Sequence, residues 1–248
     1  MLASEIIKKI IFPYYRNMKE KNEWLLHKGR KRLNFQDEEN IVEYCNKVSK
    51  FQGNNVGAIV MNCNPFTLGH RYLVEQALQH VDELYLFVVE ENRSFFSFEH
   101  RFKMVKAGVA DLKNVEIIPS GKFILSHQTF HNYFEKEYLQ KVEIDASKDL
   151  FIFAEYIAKE LNIKIRFVGE EPFDTVTRQY NAQMKKILGD AGIDVLEIPR
   201  KKIGSMAISA SRVRQCITKQ NWQEVSQLVP ETTMKYLHDD LNILKKRK

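Results

Sequence analysis

Two short runs of this 248-residue sequence carry residue types suited to handling phosphate. The first, Met61-Asn-Cys-Asn-Pro-Phe-Thr-Leu-Gly-His70, leaves an apolar run and opens a helical pattern. Pro65 sets a turn, and Gly69, lacking a Cβ, lets backbone or ligand approach closely. Backbone N–H groups freed at a helix N-terminus, with the helix dipole behind them, attract phosphate. His70 then stands at the start of that helix, aimed at whatever fills the loop, with the Thr67 hydroxyl beside it. Read as plain structure, the same residues make a strand–turn–helix connection in which Thr67 is an N-cap and His70 is merely exposed.

The second run, Ile208-Ser-Ala-Ser-Arg-Val-Arg214, places two hydroxyls and two guanidiniums at another predicted helix start. Capping by Ser209 or Ser211 is its structural reading. The chemical reading adds a phosphate held by the serines, by backbone N–H groups and by the planar fork of Arg214. Arg212 and Arg214 are two residues apart, so a helix does not point both the same way.

These runs need a scaffold, and the rest of the pattern supplies one. Val56–Met61 is a continuous apolar run, as a strand buried on both faces requires. Further strand-like runs are Leu84–Val89, Val115–Ile118, Ile165–Val168 and Val195–Ile198. Helical patterns fall at Arg71–His80, Phe98–Ala110, Lys148–Leu161, Thr177–Leu188 and Ser211–Ile217. Strands alternating with helices imply an α/β fold with a parallel sheet covered on both sides. Ligands of such sheets sit beyond the C-terminal strand ends, where the strand order reverses. Short helical pieces around Ile6–Ile11 and Ile41–Val48 suggest a helical N-terminal extension over 1–54, followed by the α/β domain over 55–240 and a basic tail over 241–248.

Composition narrows the function classes. A 44% hydrophobic chain of this length can bury one good-sized core. No stretch approaches the ~18 apolar residues of a membrane span. The run Ile6–Phe12 is broken by Lys8 and Lys9 and does not read as a signal peptide. Cys45, Cys63 and Cys216 are scattered without a C-x-x-C pair, which suits a reducing cytoplasm and gives no zinc pattern. The net charge of +6 is carried by the ends, in Lys28-Gly-Arg-Lys-Arg32 and in Lys245–Lys248. Residues 51–244 are slightly acidic, so a dedicated nucleic-acid module is not expected.

The two runs together resemble the paired signature of the T/HxGH nucleotidyltransferase superfamily, which includes pantetheine-phosphate adenylyltransferase and the cytidylyltransferases. More closely, residues Gly57–Leu73, Leu86-Phe-Val-Val89, Arg166-Phe-Val-Gly-Glu-Glu-Pro-Phe173 and Ile208-Ser-Ala-Ser211 resemble the catalytic domain of citrate lyase ligase. The likeness covers roughly residues 55–217. It implies a Rossmann-like parallel sheet of the HIGH nucleotidyltransferase type. It also implies in-line attack of a substrate oxygen on the α-phosphate of a nucleoside triphosphate, with pyrophosphate leaving and no covalent enzyme intermediate.

The resemblance makes His70 and Thr67 the catalytic residues. Nucleotide binding falls to Asn62, Asn64, Phe66, Gly69, Arg101, Gly169, Glu170, Ser209, Ser211 and Arg214. Ser209, Ser211 and Arg214 would hold the β- and γ-phosphates. Magnesium would bridge the phosphates largely through water, with no protein metal ligand assigned. Arg101 equally reads as part of a Glu–Lys/Arg-paired solvated helix, and Glu170 and Glu171 as helix-capping charges; Arg178 and Asn181 are weaker candidates. The implied reaction adenylates acetate with ATP and passes the acetyl group to the thiol of the citrate lyase prosthetic group. Expected partners are the nucleotide, a small acid and the citrate lyase acyl carrier protein, with neither membrane nor nucleic acid.

The family also carries an acetyltransferase-like domain ahead of the catalytic one. About fifty residues precede the first strand here, short of the ~100–150 of a typical domain. A stand-alone adenylyl- or cytidylyltransferase acting on another carboxylate or phosphate therefore stays open, as does a nucleotide-binding scaffold. The residues do not choose adenine over cytosine.

Overall fold

A computed structural model of the chain describes residues 35–92, 94–126, 129, 144–172 and 174–239. The helical pieces expected near Ile6–Ile11 and the basic tail lie outside the described residues. The chain divides into two compact units, residues 1–40 and 41–248. Helix α1 (Phe35–Asn46) crosses that division, and the second unit holds the sheet.

Five parallel strands form that sheet: β1 (Val56–Met61), β2 (Glu83–Val88), β3 (Val115–Pro119), β4 (Ile163–Gly169) and β5 (Asp194–Ile198). Their order is β3-β2-β1-β4-β5. From β1 the chain steps outward through β2 and β3, then returns to lay β4 on the other flank of β1. The switch point therefore lies between β1 and β4, where an open α/β sheet leaves a crevice at its C-terminal edge.

Strand alternation sorts the core into two faces. Ile59, Leu84, Leu86, Val88 and Phe167 join one cluster with Phe66, Val74, Met104, Val213 and Ile217. These last residues come from helices α2 (Leu68–Ala77), α3 (Phe98–Gly108) and α7 (Ala210–Thr218), and from the loop before α2. On the opposite face Phe87 meets Phe153 at 6.3 Å between centroids, and the buried Arg166 lies over the same Phe153 ring at 4.2 Å. Arg166 also donates to the Tyr180 hydroxyl of helix α6 (Thr175–Asp190) at 3.2 Å.

The expected alternation of strands and helices is borne out, with three differences. The helix expected over Lys148–Leu161 is α4 (Ser147–Ile152), a π-turn (Phe153–Ile157) and the short α5 (Ala158–Glu160). A two-residue hairpin, β6 (Lys202–Ile203) with β7 (Met206–Ala207), follows β5. Its strands are too short for any period to show in the sequence. Two helices, α8 (Trp222–Leu228) and α9 (Glu231–Asp239), complete the described chain, and their buried Val225 and Leu237 extend the first-face cluster.

Candidate active site

A cleft of about 810 Å³ opens at the switch point, lined by the ends of β1, β4 and β5 and by the starts of α2 and α7. Both phosphate-type runs of the sequence reach it. Among the described residues no group of three or more His, Cys, Asp or Glu is placed to hold a metal ion.

Thr67 is the N-cap of α2, its backbone extended at φ −120°, ψ 168°. Its Oγ1 accepts the His70 N–H at 3.3 Å, and its own N–H donates to His70 Nδ1 at 3.0 Å. This reciprocal pair is a capping box with a histidine in the place usually held by Glu or Gln. The consequence is chemical. A backbone N–H pointing at Nδ1 makes that nitrogen an acceptor, so the neutral ring carries its proton on Nε2. Nε2 has no protein partner among the described residues, and His70 lines the cleft. Burial, with the Arg200 charge as the second cause, pulls the imidazole down to about 4. The group offered to a ligand at neutral pH is thus an uncharged N–H donor.

The sign of that shift gives a measurable consequence. Below pH 6.5 an unfolded His70 takes up a proton, while the folded one refuses it until about 4. Stability from this group is therefore fully present above 6.5 and lost as pH falls toward 4. In urea titrations at pH 7 and pH 5, a His70→Asn variant is expected to lose less stability than the parent.

Phe66 and Arg101 do not line the cleft. Phe66 is fully buried, its ring 5.8 Å from that of His70 and nearly parallel at 19°. It fits beneath the loop because residue 108 is glycine: a Cβ there would stand 2.4 Å from the Phe66 ring. Arg101 is likewise fully buried. Its guanidinium donates to the carbonyls of Asn62 (2.8 Å), Val89 (2.6 Å), Glu91 (2.6 Å) and Phe96 (3.2 Å). In this position it stands outside the cleft lining, and it is not a member of a solvated helical ion pair; that pair is Glu99 with Lys103. Arg101 ties the loop after β1 to the loop after β2.

Asn62, Asn64 and Gly69 do line the cleft. The Asn62 side chain exchanges hydrogen bonds with Ser94 at 3.1 and 3.2 Å. Asn64 Oδ1 accepts the Phe96 N–H at 3.0 Å. Gly69 has ordinary helical backbone, and a Cβ added to it would meet its protein neighbours only at 3.5–3.6 Å. Nothing in the protein demands glycine there, so the pressure falls on the cleft side. Gly69→Ala is expected to leave stability unchanged or raise it by about 0.5–1 kcal/mol, the usual helical Gly-to-Ala gain. It is expected to weaken nucleotide binding by about 10- to 100-fold, the cost of a methyl forced into a filled site. Thermal melts and nucleotide titration of the same sample check both halves.

At the second helix, Ser209 is the N-cap of α7 and accepts the Arg212 N–H at 3.2 Å. Arg214 donates to Asn64 O at 2.7 Å and to Ser211 Oγ at 3.1 Å, tying the second run to the loop of the first. Arg212 turns away to Glu224. Gly169 and Glu170 close the far wall at the end of β4. Glu171, also in the lining, pairs with Arg200 and accepts the Asp174 N–H at 3.1 Å. Arg178 is exposed and donates to Pro172 O at 3.3 Å, while Asn181 donates to Gly169 O at 3.3 Å; neither lines the cleft. Sequence reasoning missed Ser94, Arg200 and Lys201, which do. A Pro-Arg-Lys-Lys stretch straight after a strand end was the available signal.

With cleft and donors placed, the likeness to known proteins has a physical frame. The family model described as the citrate lyase ligase C-terminal domain matches residues 56–237. A citrate (pro-3S)-lyase ligase of Haemophilus influenzae is 47% identical over 193 residues, covering 76% of this chain and 58% of that protein. One from Klebsiella pneumoniae is 43% identical over 205 residues, covering 80% and 60%. The chain thus spans about three fifths of the length of these relatives. A putative nicotinate-nucleotide adenylyltransferase structure from Vibrio parahaemolyticus aligns with a TM-score of 0.49 at 16% identity, over 78% of this chain and 96% of that one.

Proposed function

The chain belongs to the citrate lyase ligase C-terminal domain family, and from that premise we propose that it transfers the adenylyl group of ATP to a small carboxylate, with acetate as the acid. The acid's oxygen forms a bond to the α-phosphorus. The bond to the bridging oxygen breaks, and pyrophosphate leaves with the electron pair. The acetyl group of the resulting acetyl-AMP then passes to the thiol of the citrate lyase acyl-carrier prosthetic group: a sulfur–carbon bond forms, the carbon–oxygen bond breaks, and AMP leaves.

The observation that carries this reading is His70 in the cleft lining with its Nδ1 engaged by Thr67 N–H, which leaves the neutral ring's proton on the other nitrogen, Nε2. Such a fixed donor stabilises charge that develops on a phosphate oxygen without having to reorient. Free N–H groups at the starts of α2 and α7 add the helix dipoles to the same cleft. Thr67 and Ser209 set those helix starts, and Arg214, with the Ser211 hydroxyl it donates to, supplies the charge beside them. Asn62, Asn64, Gly169 and Glu170 shape the walls against the nucleotide. Magnesium enters as part of the MgATP substrate. Such an ion keeps most of its waters and binds chiefly to phosphate oxygens. The compartment that fits three free, buried thiols is the cytoplasm.

The test is pyrophosphate release with MgATP or MgCTP, each with and without acetate. Release requiring both ATP and acetate supports the reading, and transfer to the acyl carrier is then assayed directly. Release with CTP, or release that ignores acetate in favour of a phosphate-bearing acceptor, replaces it with the stand-alone transferase.

A further inference from the structure

We propose that Lys201 is a catalytic residue: a mobile ammonium that rests on the Tyr72 ring and moves onto the leaving pyrophosphate. The inference rests on the adenylyl-transfer reading and goes beyond it to a residue outside both sequence motifs. Lys201 lines the cleft on the connection between β5 and the hairpin. Its carbonyl accepts the Ile208 N–H at 3.0 Å, which holds its backbone beside Ser209, the N-cap of α7. Its Nζ stands 5.7 Å from the centroid of the Tyr72 ring. Tyr72 belongs to α2, so the ammonium rests against a helix that begins at the cleft.

The arginines around it are committed. Arg200 pairs with Glu171, Arg212 with Glu224, and Arg214 is tied to Asn64 O and Ser211 Oγ. The Lys201 ammonium makes no hydrogen bond and no ion pair among the described residues. An aromatic face holds such a group weakly and leaves its charge uncompensated. A flexible four-carbon stem lets it leave that rest position. When the bond from the α-phosphorus to the bridging oxygen breaks, negative charge grows on the departing pyrophosphate. The Lys201 ammonium donates a hydrogen bond to that charge, and no proton changes hands.

Lys201→Met and Lys201→Arg in the full chain test this through two readouts. The first is kcat and KM of acetate-dependent ATP–pyrophosphate exchange, and the second is calorimetric binding of magnesium pyrophosphate alone. Lys201→Met is expected to lower the exchange kcat by about 100-fold with a smaller change in KM, as for loss of a transition-state donor. Its pyrophosphate affinity is expected to fall about 10-fold, the scale of one charge-assisted contact. Lys201→Arg is expected to recover most of both. Unchanged pyrophosphate affinity in Lys201→Met, or a loss that Lys201→Arg does not reverse, overturns the proposal. If the parent itself shows no exchange with acetate, the acetate reading fails, and pyrophosphate binding alone still decides Lys201.

Discussion

Replacing His70 with alanine is expected to slow adenylyl transfer on the order of 1000-fold while changing MgATP affinity little, because a preorganised donor acts mainly in the transition state. Alanine also removes half of the Thr67–His70 capping box, whose loss alone would cost about 0.5–2 kcal/mol of stability. His70→Asn separates the two roles. It keeps a short polar side chain able to accept from Thr67 N–H but removes the Nε2–H donor. A parent-like melting temperature with activity as low as in the alanine variant assigns the effect to Nε2–H. Recovery of activity in His70→Asn would mean that the histidine serves only to build the helix start. A rise in KM at constant kcat would mean that His70 helps the nucleotide bind and no more.

Arg101→Met is expected to destabilise the protein by roughly 3–5 kcal/mol, the cost of breaking a buried charged network. One arginine serves four carbonyls from the loops after β1 and β2. A buried carbonyl stripped of its donor costs about 1–3 kcal/mol, partly recovered if water enters. Burial pulls the guanidinium below its ordinary affinity for protons, and its hydrogen bonds to carbonyl oxygens keep it charged there. Lysine is not expected to rescue the site, since a single ammonium cannot span four acceptors set in a fork. Urea unfolding of Arg101→Met and Arg101→Lys checks this. A cost below about 1 kcal/mol, within the range of ordinary substitutions, combined with lost nucleotide binding would return Arg101 to the role of a ligand contact.

The chemistry of the site was legible in the sequence wherever it was local. Thr67 and His70 are three residues apart, and a capping box is built from that spacing. Ser209 and its helix are read in the same way. The alternation of apolar runs with helical periods likewise set the α/β class, because each element shows its own buried face in a short window. The hairpin after β5 escaped that reading, being two residues per strand.

What the tertiary structure alone decided is which distant groups share a space. Arg214 and Asn64 are 150 residues apart, yet one donates to the other at 2.7 Å; their meeting depends on β4 returning beside β1, which strand patterns do not specify. Arg101 reads in sequence as a nucleotide contact or, equally, as a solvated cation on a helix. It is buried because two loop backbones converge on it and carry carbonyls that need donors. Phe66 sits inside the motif yet under the loop, in space left by Gly108. Lys201 lines the cleft because the chain after β5 folds back so that Ile208 N–H reaches its carbonyl. Local sequence fixes what a segment can form, whereas burial and charge pairing depend on long-range contacts, and those decide which residues of a motif face a ligand.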